Sequence, residues 1–497
     1  MKKLLSLALA IGIALSLVAC TNGWKSTVTD YSGEVSSNGG FAVVKGEYVY
    51  FINGVESNTA DNTFGVPVKG ALLRAKVADL GKDNAATEVV IPKLFYSNAD
   101  EANRGFYIYG DYVYYATPST EKDKTGAVQN STLKFARTKL DGTDTTEITS
   151  VKNLTAGYKY IQDGEKVYLV VNTTDNDNKN VLISYDATKK NTVLSTSGTV
   201  QNFAFSEDLT KTYCYYVETA HDEERDEDES FQNVVKFNFN GDEKTTVLEG
   251  SDGTQGATFT LIKDTGANLF YSKTYVDTTV ATTVKYYASK NGEFTGANNV
   301  LLSESTTNAA TIFAATSYYK DVDSIVYFDT TLGFVKYDYK QKDDDATYGL
   351  TYLVTDKKVL NELSSLTVSS YTDDYVYLTD SSNYYYRVGT NDLLEGKAKV
   401  EQITYVSLKT SSTFYKPEFI GDCVLAVSDT APLYNYVYAV KIEAGLDKEQ
   451  KEAKLKTYDF TVKENLENFA KLRLGQMTKD DTDAYAKYLK DTFKKDK

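Results

Sequence analysis

Short runs of aromatic and β-branched residues recur along the chain about every 54 residues, most of them entered through a Gly or Asp turn. The clearest are Gly46-Glu47-Tyr48-Val49-Tyr50-Phe51, Gly110-Asp111-Tyr112-Val113-Tyr114-Tyr115 and Gly164-Glu165-Lys166-Val167-Tyr168-Leu169. Weaker copies stand at Tyr213-Cys214-Tyr215-Tyr216, Leu269-Phe270-Tyr271, Ile325-Val326-Tyr327-Phe328, Tyr375-Val376-Tyr377-Leu378 and Cys423-Val424-Leu425-Ala426. Successive side chains of a strand point to opposite faces, and in Tyr112-Val113-Tyr114-Tyr115 both faces are apolar or aromatic. Such a strand must be covered on both sides, as it is when a sheet packs between two neighbours.

Each run has companions at steady offsets. Another apolar stretch precedes it, such as Phe41-Ala42-Val43-Val44, and a third follows with a basic residue in an apolar frame. Examples are Leu133-Lys134-Phe135-Ala136-Arg137, Val235-Lys236-Phe237, Val284-Lys285-Tyr286-Tyr287, Val335-Lys336-Tyr337 and Tyr385-Tyr386-Arg387-Val388. Asp141-Gly142, Asn240-Gly241 and Asn291-Gly292 then offer the positive-φ turns of tight hairpins, and fourth strands follow near 146–149, 245–248 and 299–302. Four antiparallel strands per unit make the blade of a β-propeller. The pattern predicts an all-β chain with a propeller of about eight four-stranded blades over 41–445, seven or six being the alternative counts.

The eighth unit shows no clear fourth strand. Ser26-Thr27-Val28-Thr29-Asp30-Tyr31 is predicted to complete that blade, with Thr457-Tyr458-Asp459-Phe460-Thr461-Val462 as the rival segment. From 446 to 497 the pattern turns helical. Leu466, Phe469, Ala470 and Leu474 fall at helical spacing, and Thr478 with Asp481 forms a capping-box-like start before Tyr485, Tyr488, Leu489 and Phe493. This C-terminal extension is expected to pack on its own propeller.

Composition supports strands: Tyr is abundant at 41 residues, while Pro (5), Met (2), Trp (1) and His (1) are scarce. The formal charge of −15 disfavours nucleic acid and anionic headgroups as partners. The first residues have a basic start, Lys2-Lys3, and an apolar run to Ala19, which reads as a secretory leader over 1–19 rather than a membrane span. Leu17-Val18-Ala19-Cys20 is similar to the lipobox of bacterial lipoproteins. That resemblance implies a palmitate-bearing Cys20 as the first mature residue, a tether over 20–40, and a membrane anchor facing the extracytoplasmic side of a bacterial cell. The competing reading is an ordinary cleaved leader followed by an incidental cysteine.

The repeat resembles the bacterial extracytoplasmic propellers related to the YWTD propeller of the low-density-lipoprotein receptor, on Tyr112-Val113-Tyr114-Tyr115 and the stretch from Leu133 to Thr143. The receptor tetrapeptide itself is absent, and that family has six blades. Ser206-Glu207-Asp208-Leu209-Thr210-Lys211-Thr212-Tyr213 is similar to the Asp-turn of other propellers, with Thr210 where Gly is usual.

Candidate chemistry is sparse. The one histidine, His221, opens the charged run 221–229 and is a poor catalytic base. No G-x-S-x-G elbow, phosphate loop or His/Cys cluster is present. Asp175-Asn176-Asp177-Asn178 begins like a calcium loop but lacks the expected glycine and bidentate Glu, and Asp343-Asp344-Asp345 reads as a solvated turn. Cys214 and Cys423 occupy corresponding strands of units four and eight and should be buried free thiols. No cofactor or metal is implied. The leading expectation is a non-catalytic module that binds a protein or cell-envelope ligand. The alternative is a carboxylate-dependent glycan-processing enzyme, which convergent Asp or Glu side chains beside aromatics would favour. A third possibility is an accessory subunit docked through its helical tail, in which case deleting 446–497 leaves the propeller folded.

Overall fold

The computed structural model describes residues 26–494 apart from 57–61, 63, 65–68, 97–104, 129–130, 153–156, 175–179, 187–188, 197–199, 222–229, 240–242, 251–255, 276–282, 291, 306–323, 330–331, 340–348 and 409–415. Cys20 and Trp24, the calcium-like run at 175–178, the acidic run 222–229 and Asp343–Asp345 lie outside the described residues. The fold is an eight-bladed β-propeller of antiparallel sheets, each with its strands in chain order. Seven blades have four strands; in blade 6 three are described, Ser324–Asp329, Gly333–Asp338 and Leu350–Tyr352.

Local chemistry explains the repeating hairpin. Register pairs Lys45 with Tyr48, Tyr109 with Tyr112 and Ile420 with Cys423, which leaves two-residue turns beginning with Gly46, Gly110 and Gly421. These glycines have φ of +57°, +57° and +59°, the requirement of the first central position of a type II′ turn. The second strands they lead into are buried on both faces: Val49–Ile52 in blade 1, Val113–Thr117 in blade 2 and Cys423–Val427 in blade 8 are all buried.

The chain forms two compact units. One comprises the described residues up to Tyr158 with Leu408–Ile442 and Leu446–Lys497, and the other comprises Lys159–Ser407 with Glu443–Gly445. In the first, blades 8, 1 and 2 share a continuous core that includes Phe51, Leu73, Tyr115, Cys423, Leu425 and Leu474. In the second, successive blades share cores in the same way. Leu182 and Leu194 of blade 3 meet Cys214 and Phe237 of blade 4, and Ala204 and Tyr215 of blade 4 meet Phe259 and Leu269 of blade 5.

Helices α1 (Lys357–Leu363) and α2 (Thr390–Leu394) belong to the second unit; α3 (Lys448–Thr457), α4 (Lys463–Lys471) and α5 (Lys479–Thr492) form the C-terminal extension. The extension packs on its own blades: Phe469 stacks on Tyr438 at 4.3 Å, and Asp481 accepts from the Tyr436 hydroxyl. Two expectations about blade 8 are corrected. Its fourth strand is neither 26–31 nor 457–462 but Arg473–Leu474, paired with Tyr438 and Val437 between α4 and α5. Leu474 is therefore a core strand residue, not part of a helical stripe. Gly475 follows at φ +90°, and a Cβ there would stand 2.0 Å from Asn53 Oδ1, which instead accepts the Gln476 amide at 3.1 Å. The amino-terminal segment lies along blade 1: Val35 bridges Lys45, Lys45 Nζ donates to the Gly33 carbonyl, and Arg74 donates to the Asp30 carbonyl.

Candidate functional site

The basic residues that punctuate the third strands form a structural device rather than a site. In four blades a third-strand base lies over the second-strand tyrosine diagonal to it: Arg74 over Tyr48 (3.9 Å), Arg137 over Tyr112 (4.7 Å), Lys236 over Tyr213 (4.4 Å) and Arg387 over Tyr375 (4.2 Å). Arg74 and Arg387 also pair with fourth-strand acids directly opposite, Glu88 and Glu401, at 2.8 and 3.2 Å. These bases join strands inside a blade.

The cluster that packing does not account for lies on first strands of the second unit. Gly157–Asp163 of blade 3 contributes Lys159, the residues after Val200–Phe205 of blade 4 contribute Ser206 and Glu207, Ala257–Asp264 of blade 5 contributes Lys263 and Asp264, and Thr367–Tyr371 of blade 7 contributes Tyr371. Glu207 is gripped from two sides: Lys263 Nζ lies 3.0 Å from Oε1, and the Tyr371 hydroxyl donates to Oε2 at 3.0 Å. The Lys263 ammonium is also 5.1 Å from the centre of the Tyr371 ring. Burial, followed by the Glu207 charge, holds the Tyr371 hydroxyl well above its ordinary value. Lys159 Nζ donates to the Ser206 carbonyl at 3.3 Å.

Two local features build this arrangement. The first is the Asp-turn of blade 4: Asp208 Oδ1 accepts from the amide and hydroxyl of Thr210 at 3.0 and 2.7 Å, and Ser206 Oγ accepts the Asp208 amide at 3.1 Å. Thr210 supplies by its hydroxyl a contact that glycine would lack. Glu207, between the two anchoring residues, is thereby presented outward. The second is a β-bulge in blade 5. Leu261 pairs with Tyr271 and Lys263 with Phe270, so Ile262 is the extra residue and Asp264 falls on the buried face of Phe259 and Leu261. Ser206 and Asp264 then form a parallel bridge, and the Glu207 amide donates to the Asp264 carbonyl at 2.9 Å.

Asp264 is 2% exposed. Its Oδ1 accepts the Gly266 amide at 2.7 Å, while Oδ2 is buried and accepts from no group among the described residues. Burial pushes its carboxyl from 3.8 up to about 6, with the Gly266 amide and Lys159 opposing that rise and the Glu207 charge adding to it.

Sequence reasoning quoted Glu207 only as part of the Asp-turn, without a functional role, and missed Lys159, Lys263, Asp264 and Tyr371. The available signal for Asp264 was the broken alternation at Leu261-Ile262, where two apolar residues stand side by side in an otherwise alternating strand. His221 ends the second strand of blade 4, paired with Ser230. Cys214 and Cys423 are both buried and free, as expected; burial raises both thiols, Cys423 to about 12. Among the described residues no three His, Cys, Asp or Glu side chains converge as a metal site.

No protein-family model and no curated protein matches the sequence. Among solved structures, the chain is similar to the β-propeller domain of the Trilobed protease from Pyrococcus furiosus, at 10% identity and a TM-score of 0.37 over 81% of this chain and 94% of that one. It is similar to prolyl oligopeptidase B from Galerina marginata at 11% identity and a TM-score of 0.36, covering 69% of this chain but 44% of that protein. The propeller domain of Cps50 (Swd1) from Myceliophteria thermophila matches at 8% identity and a TM-score of 0.33, over 68% and 99% of the two chains. These likenesses concern the fold alone.

Proposed function

We propose that this chain is a lipid-anchored protein of the bacterial cell exterior, held through Cys20, whose YWTD-like propeller binds a protein or cell-envelope ligand without catalysis. The observation that carries the binding role is the Lys159–Glu207–Lys263–Asp264–Tyr371 cluster, in which four blades place charged and hydroxyl groups together. Glu207 is committed to Lys263 and Tyr371, and Asp264 is enclosed, so neither carboxyl is offered as a free acid or base. Exchanging an ion pair and a hydroxyl contact for contacts to a polar partner is what such a cluster can do.

Two measurements test this reading. Mass spectrometry of the membrane-bound protein is expected to find Cys20 as the acylated first residue, and Cys20→Ala is expected to release the chain from membranes; an unmodified amino terminus overturns the anchor. Capture from solubilised membranes is expected to retain a partner that Glu207→Gln with Lys263→Met loses. Equal capture by wild type and variant overturns the assigned surface.

The glycan-processing reading draws on the same place. It needs Asp264 to reach solvent as a general acid, whereas this carboxyl is 2% exposed and Glu207 is held by Lys263 and Tyr371. Hydrolysis of a glycan panel that Asp264→Asn abolishes would replace the binding reading with this one.

A further inference from the structure

The half-satisfied carboxyl of Asp264 has a consequence beyond ligand binding. Titratable groups face it from several packed elements. Lys159 comes from blade 3, Glu207 and Lys211 from the Asp-turn, Tyr213, Cys214 and Tyr215 from the second strand of blade 4, and Lys263 from its own strand. None of them donates to Oδ2. An ionised carboxylate in this place has one oxygen bonded by the Gly266 amide and the other by no described group, whereas the neutral acid bears only the smaller cost of an unpaired hydroxyl.

We infer that the joint between blades 4 and 5 is a proton-binding site at Asp264, and that losing this proton loosens the joint together with the Glu207–Lys263–Tyr371 cluster. The connection is short. Asp264 accepts the Glu207 amide through its carbonyl, bridges Ser206, and follows Lys263 directly, so the backbone that seats the carboxyl also seats both members of the ion pair. The ionised carboxylate repels Glu207 from beneath, while the protonated form removes that repulsion.

The sign follows from linkage. The folded chain holds the Asp264 proton up to about pH 6, but the unfolded chain releases it near 3.8. Stability from this group is therefore full below about pH 4 and is lost as pH rises through about 6, by about a hundredfold in the folding equilibrium. The test is the thermal midpoint of the full chain between about pH 3 and pH 7.5, for wild type and Asp264→Asn, whose side chain stays neutral. The variant is expected to match wild type at the acidic end and to exceed it by about 3–6 °C at the neutral end. Curves that stay parallel overturn the inference.

A second measurement uses wild type alone. Amide exchange of peptides covering 203–209 and 259–266, corrected for intrinsic rate, is expected to be several-fold faster at about pH 7.5 than at about pH 5. Equal corrected rates overturn the coupling to the cluster.

Discussion

At the scale of single residues, four third-strand bases join the strands of their own blades. Arg74 is 3% exposed and meets Tyr48, the Tyr50 hydroxyl, Glu88 and the Asp30 carbonyl at once. Lys236 has the corresponding tyrosine, Tyr213, and sits half-buried. Arg74→Met is therefore expected to cost roughly 2–4 kcal/mol, because it strands a partly buried Glu88 and breaks the tie to the amino-terminal segment, while Lys236→Met is expected to cost less than about 1 kcal/mol. Chemical denaturation of the two variants checks the order. The third-strand bases were legible as a repeated sequence feature, but their partners were not, because the diagonal to a tyrosine exists only once two strands are in register. Asp264 is the opposite case. A lone Asp at the end of an alternating strand looks like a solvated turn residue, and only the bulge at Ile262 turns it inward.

At the scale of elements, the C-terminal extension is part of the propeller. Leu474 is 1% exposed in the core shared by blades 8 and 1, and Asn53 exchanges two hydrogen bonds with Gln476. Ending the chain before Arg473 removes the last strand of blade 8, so this truncation is expected to lower the thermal midpoint far more than ending it before Lys479, which removes only α5. Leu474→Ala should reproduce part of the loss, about 2–4 kcal/mol. Calorimetry of the three variants checks this, and a chain lacking 473–497 that melts like wild type would contradict it. Under the accessory-subunit reading deletion of 446–497 leaves the propeller folded, but that deletion also takes the strand Arg473–Leu474 out of blade 8. Period alone could not reveal this, since a two-residue strand between helices carries no period of its own.

At the scale of the whole molecule, stability rests on repetition. Each described blade shares an apolar core with the next one in its unit, and the two thiols outside the leader region are buried and free. Reducing agent is accordingly expected to leave the melting temperature unchanged, and Cys214 and Cys423 are expected to resist a thiol reagent until the chain unfolds, since burial raises both. Rapid labelling of either residue in the native protein would contradict this packing. The net charge of −15 acts on partners and solubility rather than on the fold.

The amino-acid order by itself indicated the repeating strands, their glycine turns and about eight units, with seven or six blades left open. Those features depend on side-chain alternation and on glycine's access to positive φ, which are properties of neighbouring residues. Which segment finishes blade 8, which tyrosine each base covers, and which carboxyl is enclosed were decided only by tertiary structure. These depend on groups up to hundreds of residues apart arriving at one place, where burial and an unmet hydrogen bond acquire their cost only after the blades have packed.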